Sequence, residues 1–250
     1  MGEIKKIQNI LREGLMDNEN ALQKKTCSEC GKDFKTIVFW GKTKLIPDCA
    51  CSDRKSEAEE KQREITSVMI SANFPKRFIC PLEDLTVDTE NQNAILQLQK
   101  YIVDFNSKNG QGIIFFGQYG TGKTQLAVSL GISLIQKKLA KVCFQAIPLL
   151  LEHMRPSENQ IRLEDFIAKQ VLILDDLGTE KATDWVRERL YILINERYNQ
   201  MLPTILTTNM KRKDLVENVG EAILSRLAEC CEVINLTGPD RRKIVRTGER

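Results

Sequence analysis

The stretch that decides the fold reads Gly117-Gln118-Tyr119-Gly120-Thr121-Gly122-Lys123-Thr124, which is the pattern G-x-x-x-x-G-K-T. A strand-like run of residues 113–116 precedes it, and a segment with helical periodicity begins at Lys123. The glycines allow successive backbone N–H groups to point at phosphate oxygens, and the helix N-terminus adds its dipole. Strand, loop and helix in this order are the context that a phosphate-binding loop requires. They make a chance glycine-rich turn a poor explanation.

Two side chains of this loop are suited to bind the phosphates and their metal ion. Lys123 supplies a cation to the β- and γ-phosphates, and the Thr124 hydroxyl is placed to ligate Mg²⁺. We therefore expect all eight residues of the loop to hold ATP, with magnesium as its companion ion.

Two adjacent acids follow a second apolar run, residues 171–174. A strand that is buried on both faces does not end in paired carboxylates for packing reasons. Ligands in open α/β sheets bind beyond the carboxyl ends of parallel strands. We therefore expect Asp175 to hold the magnesium ion through the water shell of the metal, and Asp176 to orient or deprotonate the attacking water. The competing interpretation is an acidic turn at residues 176–178.

Three further polar residues suit ATP hydrolysis. Asn209 ends the next strand-like run, where a neutral amide can hold the γ-phosphate or the attacking water, although asparagine is also common in turns. Arg226 lies in the S-R-L sequence that ends a predicted helix, and Arg242 follows the last strand. An arginine against a γ-phosphate stabilises transition-state charge. Either arginine, taken alone, is more commonly a surface residue.

Strand-like and helical segments alternate through most of the chain. The predicted strands are residues 112–116, 141–146, 171–175, 203–207 and 232–236, and the predicted helices start near residues 90, 123, 184 and 219. This alternation predicts an α/β fold with a mostly parallel five-stranded sheet covered on both faces.

The chain has 250 residues and a net charge of +3, which allows one substantial core and a small appended module. We expect residues 1–66 to comprise an amphipathic helix over residues 4–15, a cysteine module, and a charged linker or exposed helix over residues 53–66. Residues 67–250 form the predicted ATPase domain. The sequence shows neither a signal peptide nor an apolar run of bilayer length, so we expect a cytoplasmic protein.

Four cysteines in the first part form the pattern C-x₂-C…C-x-C, at Cys27, Cys30, Cys49 and Cys51. Cytosolic cysteines are reduced, so pairs of them favour metal over disulfide. Four thiolates predict a closed structural zinc site, which a module this small needs for stability. An iron–sulfur cluster is a less favoured alternative, and unligated core cysteines are less favoured still.

The motifs in order, G-x-x-x-x-G-K-T, L-D-D-L-G, P-T-x-L-T-T-N, S-R-L and G-x-D-x-R, resemble AAA+ ATPases of the replicative helicase loader class (DnaC and DnaI). They are equally similar to IstB-type transposition ATPases. The resemblance runs from Asn73 to the C-terminus. It implies that Lys123 and Thr124 are Walker A and that Asp175 and Asp176 are Walker B. The other roles it implies are sensor 1 for Asn209, an arginine finger toward a neighbouring subunit for Arg226 and sensor 2 for Arg242.

Two departures from the broader AAA+ pattern matter. Asp176 stands where most such proteins carry glutamate, so we expect slow, partner-stimulated hydrolysis. The chain ends soon after Arg242, so we expect no full lid. A neighbouring subunit would then help to hold the nucleotide, which implies self-association through the ATP sites.

The resemblance implies an ATP-dependent loader that places a hexameric replicative helicase on single-stranded DNA. The alternative is an IstB-like ATPase that regulates a transposase on double-stranded DNA. A small-molecule kinase is disfavoured because S-R-L and T-T-N have no role there, and a zinc-based adaptor with a non-hydrolysing site is a further alternative. The basic C-terminal residues suit either a nucleic-acid contact or a solvated tail, and they are Arg241, Arg242, Lys243, Arg246 and Arg250.

Overall fold

The computed structural model describes residues 26–39, 42–47, 49–155 and 162–242. The helix predicted over residues 4–15 and the basic residues from 243 onward lie outside these ranges. The chain divides into two compact units, Met1–Arg63 and Glu64–Arg250. Within the described residues, none of the helices is long and apolar enough to span a bilayer.

The first unit contains a two-stranded antiparallel hairpin. Strand β1, Phe34–Phe39, pairs with β2, Lys42–Pro47, and Phe34 lies opposite Pro47. The cysteine pairs lie before and after the hairpin. Helix α1, Cys51–Ser71, begins at the last of these cysteines. The charged segment expected to be a linker or an exposed helix is therefore helical.

The second unit is built on five parallel strands. In chain order they are β3 Gly112–Gly117, β4 Val142–Ala146, β5 Val171–Asp175, β6 Thr204–Thr208 and β7 Cys231–Leu236. The order across the sheet is β4-β5-β6-β3-β7. The expected five-stranded parallel sheet is confirmed, and each predicted strand lies within one residue of the observed one.

Helices cover both faces of this sheet. They are α2 Gln92–Asp104, α3 Lys123–Lys138, α4 Ile147–His153, α5 Glu164–Ile167, α6 Asp184–Asn199, α7 Arg212–Val219 and α8 Glu221–Cys230. The predicted start near residue 219 agrees with α8, whereas α7, which ends at Val219, was not predicted. Gly220 takes φ +94° and separates the two helices.

The strands alternate their side chains between two cores. Ile113, Phe115 and Ile173 face the core formed with α2 and α3. Ile114 and Leu172 face the core formed with α4 to α8. Burial on both faces explains the continuous apolar runs in the strands. Because all five strands are parallel, their carboxyl ends share one edge of the sheet. The phosphate loop, the two acids, Asn209 and Arg242 lie at or after those ends, whereas Arg226 lies within α8.

Candidate ATP site and cysteine cluster

The phosphate loop connects β3 to α3 and is curled around its own lysine. Gly122 takes φ +98° immediately before α3, a conformation that glycine adopts without steric cost. The buried Lys123 donates from Nζ to the carbonyl oxygens of Gly117 and Gln118, both at 2.8 Å. Burial lowers the pKa of Lys123 below its ordinary value, and the nearby carboxylates of Asp176 and Asp175 offset only part of that effect. The loop and its cation therefore form one compact unit at the sheet edge.

The structure brings Thr124 and Asp175 together. The Thr124 hydroxyl lies 2.9 and 3.1 Å from the two carboxylate oxygens of Asp175, although the residues are 51 positions apart in the chain. Burial raises the pKa of Asp175, and hydrogen bonds from Thr207 and Thr124 oppose that rise. A hydroxyl and a carboxylate side by side are the oxygen ligands that Mg²⁺ takes beside a nucleotide. The pair therefore fits magnesium.

Thr207 is a functional residue that sequence reasoning missed. Its hydroxyl donates to Asp175 Oδ1 at 2.7 Å and accepts from the Asp176 backbone N–H at 2.9 Å. Asp176 takes φ +63°, which is uncommon for a residue with a side chain. The threonine thus fixes the position of both acids. The threonines of the T-T-N sequence were the available signal, but they read as ordinary strand residues.

Asn209 presents an unpaired donor. Among the residues that the structure describes, its buried Nδ2 has no hydrogen-bond partner. Asn209 shares the lining of a cavity of about 700 Å³ with Gly117, Gln118 and Thr121 of the phosphate loop. A buried unpaired amide is costly unless something accepts its hydrogen. A phosphate oxygen or a water molecule fits that requirement, so the residues present suit an ATP molecule.

The two predicted arginines lie in different surroundings. Arg226 donates to Tyr191 Oη at 3.2 Å, and its guanidinium carbon lies 5.1 and 5.9 Å from the ring centroids of Tyr191 and Tyr198. It therefore lies on the α6–α8 surface. Arg242 follows β7 in the chain, and its charge contributes to lowering the pKa of Lys123. Of the two predicted arginines, Arg242 is therefore the one whose charge acts on Lys123 of its own chain.

The four predicted zinc ligands converge in the first unit. Their sulfur atoms all lie within 4.8 Å of one another. In a tetrahedral zinc site with Zn–S bonds of about 2.3 Å, two sulfur atoms lie about 3.8 Å apart. The sulfur–sulfur distances in the cluster are therefore close to those that zinc requires. Gly31 takes φ +70° and donates its N–H to the carbonyl oxygen of Cys27, which closes a tight turn. Backbone N–H groups of Glu29 and Cys30 lower the pKa of Cys27 to about 7. The cluster fits a tetrahedral metal ion such as zinc.

Comparison with known proteins shows which family this chain matches. The profile of the family described as IstB-like ATP binding protein matches residues 53–247. The replicative helicase loader DnaI of Bacillus subtilis is 24% identical over 253 aligned positions, which cover 88% of this chain and 79% of that protein. The ATP-binding protein of insertion sequence IS232 from Bacillus thuringiensis subsp. berliner is 30% identical, over 73% of this chain and 75% of that protein.

A solved structure shares the fold. The crystal structure of the DnaC helicase loader superimposes with a TM-score of 0.59 at 30% sequence identity, and the match covers 65% of this chain and 100% of that one. The resemblance to AAA+ helicase loaders and to IstB-type ATPases, first seen in the order of motifs, is therefore confirmed.

Proposed function

The chain belongs to the family of IstB-like ATP-binding proteins, and we propose that it is an ATP-hydrolysing loader that places a hexameric replicative helicase on single-stranded DNA. The observation that carries the proposal is the placement of Thr124, Asp175 and Asn209 around the end of one phosphate loop. Such a site can couple the exchange or hydrolysis of the bound nucleotide to the affinity of the chain for a partner.

The side chains divide the work of hydrolysis. Lys123 neutralises phosphate charge, and Thr124 with Asp175 would hold Mg²⁺, which supplies further charge neutralisation when bound. Asp176 accepts a proton from the attacking water or orients it. The Asn209 amide donates to the γ-phosphate or to that water. Each role follows from the charge and hydrogen-bonding capacity of the side chain.

The extent of the match to DnaI supports a loader over a transposition ATPase. That match covers 88% of this chain, which is more than the residues from 53 onward can supply. It therefore extends into the segment that carries the cysteines. The match to the IS232 protein covers 73%, which the ATPase region alone can supply. A loader uses one part to hold the helicase and another to bind nucleotide, so similarity in both parts favours that function.

Reconstitution tests this proposal directly. The intact chain, mixed with the hexameric replicative helicase of its host, is expected to form a complex that migrates as one species in size-exclusion chromatography. With ATP it should also increase the amount of helicase retained on circular single-stranded DNA. Lys123→Ala serves as the matched control, because it removes the phosphate cation. A chain that never associates with the helicase, with or without ATP, contradicts the proposal.

The second candidate is an ATPase that regulates a transposase on double-stranded DNA. The family description and the 30% identity to the insertion-sequence protein favour it. The same preparation distinguishes the two. Preference for duplex DNA over single strands, together with retention of a transposase and indifference to the helicase, would replace the loader proposal.

A further inference from the structure

The segment that follows β7, residues 237–242, lies directly on the phosphate loop. The backbone N–H of Arg241 donates to the carbonyl oxygen of Gly120 at 3.0 Å. Gly120 takes φ +79°, and a Cβ built on it would overlap the carboxylate of Asp240. The middle of the loop therefore has no room for a side chain, because the segment after β7 occupies that space.

An ion pair fastens this segment to the residues that precede α2. The Arg241 guanidinium donates to both oxygens of the Asp88 carboxylate, at 2.6 and 2.8 Å, and lies 3.7 Å from Glu90. The two side chains of the bidentate pair are only about one-third exposed, 32% and 33%. Such a pair is stronger and more directional than the average surface ion pair. Sequence reasoning had grouped Arg241 with a basic tail, and the ion pair removes it from that group.

The acid of the pair is itself held in place. Asp88 Oδ1 accepts from the backbone N–H groups of Glu90 and Asn91, at 3.0 and 2.9 Å. These bonds form a turn that leads into α2. Residues 153 positions apart are thus joined, and the segment after β7 contacts both the turn before α2 and the phosphate loop.

Arg242 depends on the same segment. Its backbone N–H donates to Asp240 Oδ1 at 3.0 Å, so its position is fixed by the turn that Arg241 anchors. Loosening of Arg241 is therefore expected to displace both the segment packed on Gly120 and Arg242, whose charge acts on Lys123.

We propose that Asp88 and Arg241 are positioning residues that clamp the segment after β7 onto the phosphate loop. The loop and Arg242 are thereby held in the arrangement that binds ATP before the nucleotide arrives. This rests on the ATP site proposed above. Neither side chain needs to touch the nucleotide, because both act through Gly120 and Arg242. The consequence is a lower affinity for ATP when the pair is broken, and not a loss of the chemical step itself.

Two substitutions in the full-length chain test the clamp. Asp88→Asn removes the charge but keeps an oxygen that can cap the turn, and Arg241→Gln removes the guanidinium. Each is expected to raise the Kd for a fluorescent ATP analogue about ten-fold, as loss of one charge-assisted bidentate contact would. The Kd of the double variant is expected to be no higher than that of the more impaired single variant, because the two residues act as one unit. Arg241→Lys should recover part of the affinity.

Controls separate the clamp from simple stability and from the site. Lys137→Gln breaks another ion pair, with the exposed Glu83, and should leave the Kd unchanged. A purely structural pair would lower the thermal midpoint of the nucleotide-free protein without moving the Kd, which would overturn the clamp. Additive losses in the double variant would overturn it as well. If Lys123→Ala abolishes binding while both single variants bind like wild type, only the clamp fails. If wild type itself does not bind, the ATP site fails.

Discussion

Thr207 contacts both acids of the ATP site, and this arrangement separates their tasks. Its hydroxyl donates to Asp175 and accepts from the backbone of Asp176. Asp175 is consequently surrounded by hydrogen-bond donors at a buried position, which suits a fixed carboxylate beside a metal ion. Asp176 is less buried and is held by its backbone, which leaves its side chain free to meet a water molecule.

We predict that Asp176→Asn retains ATP binding but loses turnover. The amide keeps the size of the side chain but cannot accept a proton from water, so kcat is expected to fall by about 10²–10⁴-fold. Lys123→Ala, in contrast, should abolish nucleotide binding. Binding of a fluorescent ATP analogue and release of phosphate measure the two effects separately. Equal ATPase rates in wild type and Asp176→Asn would remove Asp176 from the mechanism.

Removing the Thr207 hydroxyl should impair catalysis more than binding. Thr207→Val preserves the volume but deletes both hydrogen bonds, so the two acids lose their common support. We expect kcat to fall about ten-fold or more, with a smaller change in the Kd for ATP. Thr207→Ser keeps the hydroxyl and is the matched control. A Thr207→Val protein with wild-type kcat would show that the acids hold their positions without this threonine.

At the scale of elements, one buried arginine joins α6 to the sheet. Arg197 is fully buried and donates to the carbonyl oxygens of Phe166, Ile167, Lys169 and Pro203 and to the hydroxyl of Thr204. Burial lowers the pKa of Arg197 to about 9, which still leaves it charged at neutral pH. These contacts hold the C-terminal end of α6 against the start of β6.

We predict that Arg197→Leu destabilises the fold by about 3 kcal/mol or more, because it leaves several buried carbonyl oxygens without donors. Chemical denaturation monitored by circular dichroism measures the change. Arg187 also donates to backbone carbonyls, those of Asn218 and Glu217, but is exposed. Arg187→Leu is therefore the matched control and should cost less than about 1 kcal/mol. Similar losses in both variants would contradict the importance of burial.

The cysteine cluster predicts one zinc ion per chain. Cys27, Cys30, Cys49 and Cys51 converge, whereas Cys143 is buried in the sheet of the second unit. Elemental analysis of the purified, reduced protein should find zinc at a ratio of about one, and Cys49→Ser should lower it because three thiolates hold the ion less tightly. Cys143→Ser should leave the zinc content unchanged. A folded, reduced sample without zinc would end this assignment.

The elements that sequence reasoning found and missed differ in a physical way. The strand that ends in Asp175 and Asp176 and the loop before α3 are local patterns, so periodicity and spacing reveal them. The pair Asp88 and Arg241 joins residues 153 positions apart, and no local pattern indicates such a contact. Helix α7 has only eight residues, too few for a clear periodic pattern, and it was not predicted. Contacts that neither a motif nor a shared edge of the sheet indicates therefore escaped prediction.

At the scale of the whole molecule, the position of Arg226 bears on self-association. Its guanidinium lies against Tyr191 and Tyr198 on the surface formed by α6 and α8, whereas the charge of Arg242 acts on Lys123 of the same chain. An arginine held at the surface among aromatic rings suits contact with another subunit, since arginine and tyrosine are enriched at interfaces. This arrangement supports the expectation that Arg226 serves a neighbour's ATP.

If Arg226 works on a neighbouring subunit, Arg226→Ala should bind ATP nearly normally yet hydrolyse it about 10³-fold more slowly or worse. Mixing this variant with Lys123→Ala should restore part of the activity. At one kind of interface, the intact arginine of a Lys123→Ala subunit meets the intact phosphate loop of an Arg226→Ala subunit. Phosphate release by each variant alone and by the mixture measures the recovery.

The mixing experiment depends on assembly, so assembly must be measured in the same samples. Mass photometry of the mixture, with ATP present, establishes whether the two variants share oligomers. Lys123→Ala mixed with wild type is the matched control, because it dilutes the functional loops without supplying a missing arginine. Shared oligomers without recovered hydrolysis would assign Arg226 to its own chain or to no catalytic role. Recovery would show that each ATP site is completed by two chains, which makes hydrolysis a property of the assembly rather than of the protomer.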